Sequence, residues 1–242
     1  MIRAETVEVQ SGDISIPAYF AEPSREDTFP VVVVIQEIFG VNSHIREVTE
    51  RIALEGYIAI APHIYHRQVS NFEVGYSDED LALGRKYKNG TRSEELLSDI
   101  RGAIDYAYDR PTAKVGGVGC IGFCFGGHVT YLAATLPEVA AAASFYGAGI
   151  TSMQPGGGEP TINLTSKISG TLYGFFGTED PLIPNQEVDQ IEATLQKHGI
   201  SHKIFRYPGA THGFFCDQRH SYNPEAAQDA WDHVKQLFTS CL

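Results

Sequence analysis

Basic residues are scarce in this 242-residue chain, with 18 Lys and Arg against 30 Asp and Glu and a formal net charge of −12. Nucleic acids and anionic membrane surfaces are held by clustered Lys and Arg, so neither is an expected partner. Long apolar runs are also missing: none approaches the roughly 20 residues that span a bilayer. The opening Met1-Ile2-Arg3-Ala4-Glu5-Thr6-Val7-Glu8 has no apolar signal core, which makes a cytoplasmic location the expectation. Cysteine is sparse, and Cys120, Cys124, Cys216 and Cys241 lack the paired C-x-x-C spacing of a zinc site. The chain is also far larger than the small secreted domains that depend on disulfides, so free thiols are expected. His63 and His66 lie three apart without nearby Cys or acidic ligands in a recognisable pattern, and no metal is expected.

What is present is a 43% hydrophobic, 20% charged sequence, long enough for one sizeable core and short for two; a single domain over residues 1–242 is expected. Alternating segments at 6–10 and 14–21 flank the turn Ser11-Gly12-Asp13 and predict an antiparallel hairpin. Thereafter short apolar strands (31–35, 57–61, 115–122, 140–146, 171–176, 202–207) alternate with amphipathic helices (43–55, 78–88, 92–108, 127–134, 186–198, 224–238). Such alternation predicts an α/β fold, a mostly parallel sheet with helices on both faces and functional loops at the carboxyl ends of its strands. The segment 154–160 reads as a surface loop, and its glycines lack the Lys-Ser/Thr of a phosphate-binding loop. Gly117-Val118-Gly119-Cys120-Ile121-Gly122 matches G-x-G-x-x-G only formally. Its glycines fall inside the apolar run rather than after it, so no dinucleotide cofactor is expected.

Chemistry concentrates at Gly122-Phe123-Cys124-Phe125-Gly126-Gly127. Gly122 and Gly126, two residues to either side of Cys124, allow a sharp strand-to-helix turn, and the following helix aims its N-terminal N–H groups and partial positive charge at the sulfur. A thiol there is favoured as thiolate, the reactive form. A glycine-flanked cysteine is also compatible with an ordinary core, so partners decide the reading. Asp180 follows the strand ending near Phe176, and His212 follows the strand ending near Tyr207. Nucleophile, acid, histidine is the chain order of α/β-hydrolases, with all three at strand ends. Glu179 competes with Asp180 as the acid. His44, His128, His198 and His233 fall in helical segments and read as surface or helix-packing residues.

On these residues the chain resembles the dienelactone hydrolase (carboxymethylenebutenolidase) family of the α/β-hydrolase superfamily. Gln36-Glu37-Ile38-Phe39-Gly40-Val41-Asn42 is similar to the loop after the family's first central strand, and Gly122–Gly127 to its cysteine elbow. Pro62–Gln68 and Tyr146–Gly149 resemble further family segments. The resemblance implies an α/β-hydrolase fold, a triad of Cys124, His212 and Asp180, and an oxyanion hole of the Ile38 and Phe125 backbone N–H groups. It also implies that Glu37 keeps the resting thiol from the histidine and accepts its proton when substrate arrives. The implied substrate is a small ester or lactone, cleaved through an acyl-thioester with no cofactor by a monomer or small homo-oligomer. Family members acting on dienelactone hold its carboxylate with two arginines; the second position, four residues after the histidine, is Cys216 here. Arg85, Tyr87 and Arg219 are therefore the candidate substrate-binding residues. A thioesterase or other acyl hydrolase with the same triad, and a hydrolase-fold protein that binds a small ligand without turnover, are the alternatives.

Overall fold

The computed structural model describes residues 1–242. Its frame is one eight-stranded sheet built from β1 (Ile2–Ser11), β2 (Ile14–Pro23), β3 (Val31–Ile35), β4 (Ile58–Pro62), β5 (Val118–Phe123), β6 (Val139–Phe145), β7 (Thr171–Gly177) and β8 (His202–Tyr207). The order across the sheet is β1-β2-β4-β3-β5-β6-β7-β8. β1 and β2 form the antiparallel hairpin, β2 joins β4 antiparallel, and all pairings from β4 to β8 are parallel. This is the expected α/β architecture. Every residue of β3, β4 and β5 is buried, as required of parallel strands covered on both faces.

Six helices follow: α1 (Ser43–Leu54), α2 (Asp78–Asn89), α3 (Ser93–Tyr108), α4 (Phe125–Ala133), α5 (Asn185–Lys197) and α6 (Pro224–Cys241). The sequence supplies their start signals. The Asn42 side chain caps α1 at the Ile45 N–H, Ser77 and Asp80 form a capping box on α2, and Asn223 followed by Pro224 opens α6. Neighbouring residues of β5 reveal the layering. A Cβ on Gly119 would meet Phe238 of α6, whereas the next residue, Cys120, directs its sulfur to Thr130 of α4. Side chains alternate across a strand, so α6 and α4 lie on opposite faces. Arg51 of α1 stacks over Trp231 of α6, its guanidinium carbon 3.9 Å from the ring centroid, which places α1 beside α6.

Two of the boundaries that differ from expectation bear on the site. β5 begins at Val118 instead of 115, because Val115 is 80% exposed and precedes the ladder. α4 begins at Phe125, two residues earlier than the sequence pattern suggests, since the helix starts immediately after Cys124 and takes Gly126 and Gly127 into its first turn. A 3₁₀ segment, Thr161–Lys167, was not foreseen.

Close backbone approach makes this junction. A Cβ on Gly126 would stand 2.4 Å from the carbonyl oxygens of both Ile35 and Gln36, and one on Gly122 only 2.2 Å from the Gly126 oxygen. These obstacles are backbone atoms, which cannot rotate aside. Gly126→Ala is therefore expected to destabilise the protein by about 1–3 kcal/mol, read as a lower midpoint in urea denaturation; an unchanged midpoint would show that the junction is not tightly packed.

Candidate active site

Cys124 sits between β5 and α4 with φ 57° and ψ −118°, a left-handed conformation that costs a non-glycine residue roughly 1–3 kcal/mol. Bonds on both sides hold it there. Its N–H donates to the Phe145 carbonyl at 3.0 Å, and its carbonyl accepts from the Gly127 N–H at 3.0 Å and the His128 N–H at 3.2 Å. The result is a half-buried thiol at a helix N-terminus, lining a cavity of about 270 Å³. Two other thiols are chemically different: burial pushes Cys120 up to about 12, and pushes Cys216 up to about 11 with the Glu37 charge adding to it. Neither is favoured as a free thiolate.

The loops after β7 and β8 bring the acid and the histidine together. They are laced at their bases, where Thr178 donates to the Tyr207 carbonyl and Glu179 to the Ala210 carbonyl. His212 Nδ1 lies 2.8 Å from Asp180 Oδ2, and the other Asp180 oxygen accepts from the Leu182 N–H at 2.8 Å. With the carboxylate fixed, Nδ1 carries the proton and Nε2 is the nitrogen available for chemistry. Nε2 is buried without a well-formed hydrogen bond. Glu179, the competing acid, is exposed, whereas the Asp180 side chain is wholly buried. Burial opposes a charge on His212, but the Cys124 sulfur, once it is ionised, and the Asp180 carboxylate outweigh it and hold the imidazolium up to about 10. Tyr146, with φ 37°, packs edge-on against the His212 ring at 5.1 Å.

Glu37 is fully buried in the loop after β3. Its Oε1 accepts from Arg219 Nη1 at 2.9 Å, while Oε2 has no partner. The arginine comes from Arg219, three residues beyond the Cys216 position, and its guanidinium also lies over the Phe39 and Tyr76 rings. Cys216 itself turns inward, its sulfur 3.3 Å from the Tyr76 hydroxyl. Among the loop and cap hydrogen bonds, none uses the Ile38 or Phe125 N–H as donor, so both remain free for a ligand. Ile38 is fixed from behind by Gly84 of α2, where a Cβ would stand 2.4 Å from the Ile38 carbonyl oxygen.

The cavity is lined by Ile38, Phe39, Cys124, Phe125, His212 and Arg219, together with Arg85 and Lys88 of α2. Tyr87 does not line it. Position 87 faces the opposite way along α2, and its ring packs against Phe72 at 4.8 Å and Tyr65 at 6.1 Å. Sequence reasoning missed Lys88 and Gly84. Lys88 stands one turn past Gly84 and shares a face with Arg85 at i, i+3, a periodicity that could have found it. Gly84 carries no local signal, since its role depends on a loop 46 positions away in sequence (84 less 38).

Comparison with known proteins supplies the family. The dienelactone hydrolase family model matches residues 16–242. The chain belongs to the dienelactone hydrolase family. It is 58% identical over 241 residues to a Synechocystis protein assigned as a carboxymethylenebutenolidase, covering 100% of this chain and 98% of that one. An Escherichia coli protein of the same assignment is 33% identical, with 93% of this chain and 82% of the other aligned. A crystal structure assigned as a Klebsiella pneumoniae dienelactone hydrolase superposes with a TM-score of 0.89 at 30% identity, covering 99% of both chains. No helix of this family member is long and apolar enough to cross a membrane.

The sign of the His212 shift gives a measurable consequence. A raised value means that the imidazolium survives to the alkaline side, so hydrolytic rate should hold through neutral pH and fall only towards about 10. Asp180→Asn removes one of the anionic partners and should move that alkaline limb downward in a pH–rate profile; a limb that stays in place would show that Asp180 does not hold the proton.

Proposed function

We propose that this dienelactone hydrolase-like hydrolase cleaves small, anionic esters or lactones with Cys124 as nucleophile, through an acyl-thioester. The observation that carries the reading is the strained, half-buried thiol at the α4 N-terminus, sharing one cavity with a His212 oriented by buried Asp180.

Each group has one task in this acyl transfer. Glu37 Oε2, the carboxylate oxygen left free by Arg219, takes the proton of the Cys124 thiol as substrate enters. The thiolate attacks the carbonyl carbon, and the carbonyl oxygen becomes an oxyanion facing the Ile38 and Phe125 N–H groups. Preorganised donors of this kind act in a water-poor site and each is worth on the order of 10²–10³ in rate. Collapse of the tetrahedral intermediate breaks the acyl–oxygen bond and leaves the acyl group on sulfur. Protonated His212 stabilises the departing oxygen as general acid, then as a neutral base draws a proton from the water that hydrolyses the thioester. A thiolate is itself a good leaving group, which favours substrates whose own leaving group is a stabilised enolate.

Charge selects the substrate class. Arg219 is neutralised by Glu37, whereas Arg85 and Lys88 make no ion pair within the chain. Two uncommitted cations at the mouth of a compact cavity suit a substrate carboxylate.

Cys124→Ala should retain the fold by circular dichroism and abolish hydrolysis of activated esters; retained turnover would overturn the nucleophile. In a panel of lactones and esters with and without a carboxylate, Arg85→Ala and Lys88→Ala should each raise KM for the carboxylate-bearing members by up to about five-fold, leaving neutral esters unaffected. Equal effects on both sets would remove the charge argument.

A further inference from the structure

Behind the catalytic cavity, three buried side chains from separate segments converge: Glu37 after β3, His44 in the first turn of α1, and Cys216 after β8. One ligand atom from each lies within 4.8 Å of the others. All three residues are at least nine-tenths buried, at 0%, 3% and 0% exposure. Two of the atoms are orphans, since Glu37 Oε2 and His44 Nε2 have no hydrogen-bond partner. Unsatisfied buried polar atoms are costly and call for an occupant. A carboxylate oxygen, an imidazole nitrogen and a sulfur form a donor set typical of zinc with one position left open.

The surroundings suit a cation with affinity for sulfur. Asn42 Nδ2 donates to the Tyr76 hydroxyl oxygen at 3.2 Å, which leaves the hydroxyl proton free to donate to Cys216 sulfur at 3.3 Å. That bond stabilises a metal-bound thiolate. On its outer side His44 borders a second cavity, of about 170 Å³, lined also by Glu47 and Asp217, which gives a metal ion an acidic way in. Arg51 lines it too, but its guanidinium is stacked on Trp231. Donors sharing one tetrahedral zinc stand roughly 3.3–3.7 Å apart, so closing the cluster takes a side-chain shift of about 1 Å.

The geometry points to Glu37, His44 and Cys216 as a binding site for a thiophilic divalent cation, zinc foremost, that shuts the enzyme by engaging Glu37. On binding, the Cys216 thiol releases its proton to solvent and the sulfur coordinates the metal; His44 coordinates through Nε2 and Glu37 through Oε2. The site stands on its own observations. Its inhibitory effect rests on the proposed role of Glu37, because a metal on Oε2 leaves the Cys124 proton without its acceptor.

The test begins with the full chain carrying Cys124→Ala, so that the Cys124–His212 pair cannot hold the metal. Cobalt(II) as the probe should give a near-ultraviolet thiolate-to-cobalt charge-transfer band, and equilibrium dialysis should find one zinc per chain. Adding Cys216→Ser should remove the band and weaken zinc binding by about 100-fold or more, and His44→Gln should weaken it comparably. No band, or zinc binding indifferent to both substitutions, would overturn the site and leave a bridging water as its occupant. With Cys124 intact, zinc should inhibit hydrolysis reversibly, with a chelator restoring the rate. Cys216→Ser, measured against its own metal-free rate, should need far more zinc for the same inhibition. Binding that Cys216→Ser abolishes, but without inhibition in the native sequence, would support the site and overturn the role of Glu37.

Discussion

Everything in the catalytic cavity depends on how closely β5 and α4 approach one another at Cys124. The Gly126 backbone rests on the Ile35 and Gln36 carbonyls, so the end of β3, the elbow and the first turn of α4 form one rigid contact. That contact stores the strain in Cys124, and it also sets the spacing between the loop carrying Glu37 and Ile38 and the helix that presents the Phe125 N–H. A thiol, a carboxylate and two amide donors from distant stretches of chain thus share one reference point. Geometry held by backbone packing in this way tolerates side-chain drift better than any added Cβ.

The charges divide into committed and free ones. Asp180 is spent on His212, and Arg219 on Glu37, each pair buried away from solvent. Arg85 and Lys88 remain unpaired above the cavity. With a net charge of −12, the protein as a whole repels anions. Attraction of any anion to the cavity is therefore local, and it falls off within about 8 Å at physiological ionic strength. The cluster of Glu37, His44 and Cys216 lies on the far side of the same carboxylate, which makes Glu37 the point where the cavity and the helix α1 face communicate.

Much of this was legible in the sequence because the signals were local. A continuous β-branched run gave β3, the alternation of short apolar strands with amphipathic helices gave the parallel sheet, and the glycine pattern marked the elbow. Asp180 and His212 could be chosen because each follows a strand, and the fold brings them to 2.8 Å. What escaped was non-local or subject to tertiary packing. Tyr87 and Arg85 are two residues apart on one helix, and only the packing of Phe72 and Tyr65 decides that the tyrosine turns away from the cavity. Position 216 holds cysteine, and the guanidinium of Arg219, three residues further on, pairs with Glu37, a contact that no local spacing announces. The convergence of His44 with Cys216 has no spacing signature at all, since 172 positions (216 less 44) separate them.

Gly84 ties the cations of α2 to the Ile38 peptide. Because α2 lies directly on the Ile38 carbonyl at that glycine, the helix that carries Arg85 and Lys88 cannot slide or tilt without moving the Ile38 peptide. Evolution cannot therefore resize the pocket mouth by shifting α2 as a body. A change of charge on the α2 side of the pocket is made by exchanging Arg85 or Lys88 on a helix that stays where it is, while Ala148, Pro181 and Leu182 line the same cavity from other segments.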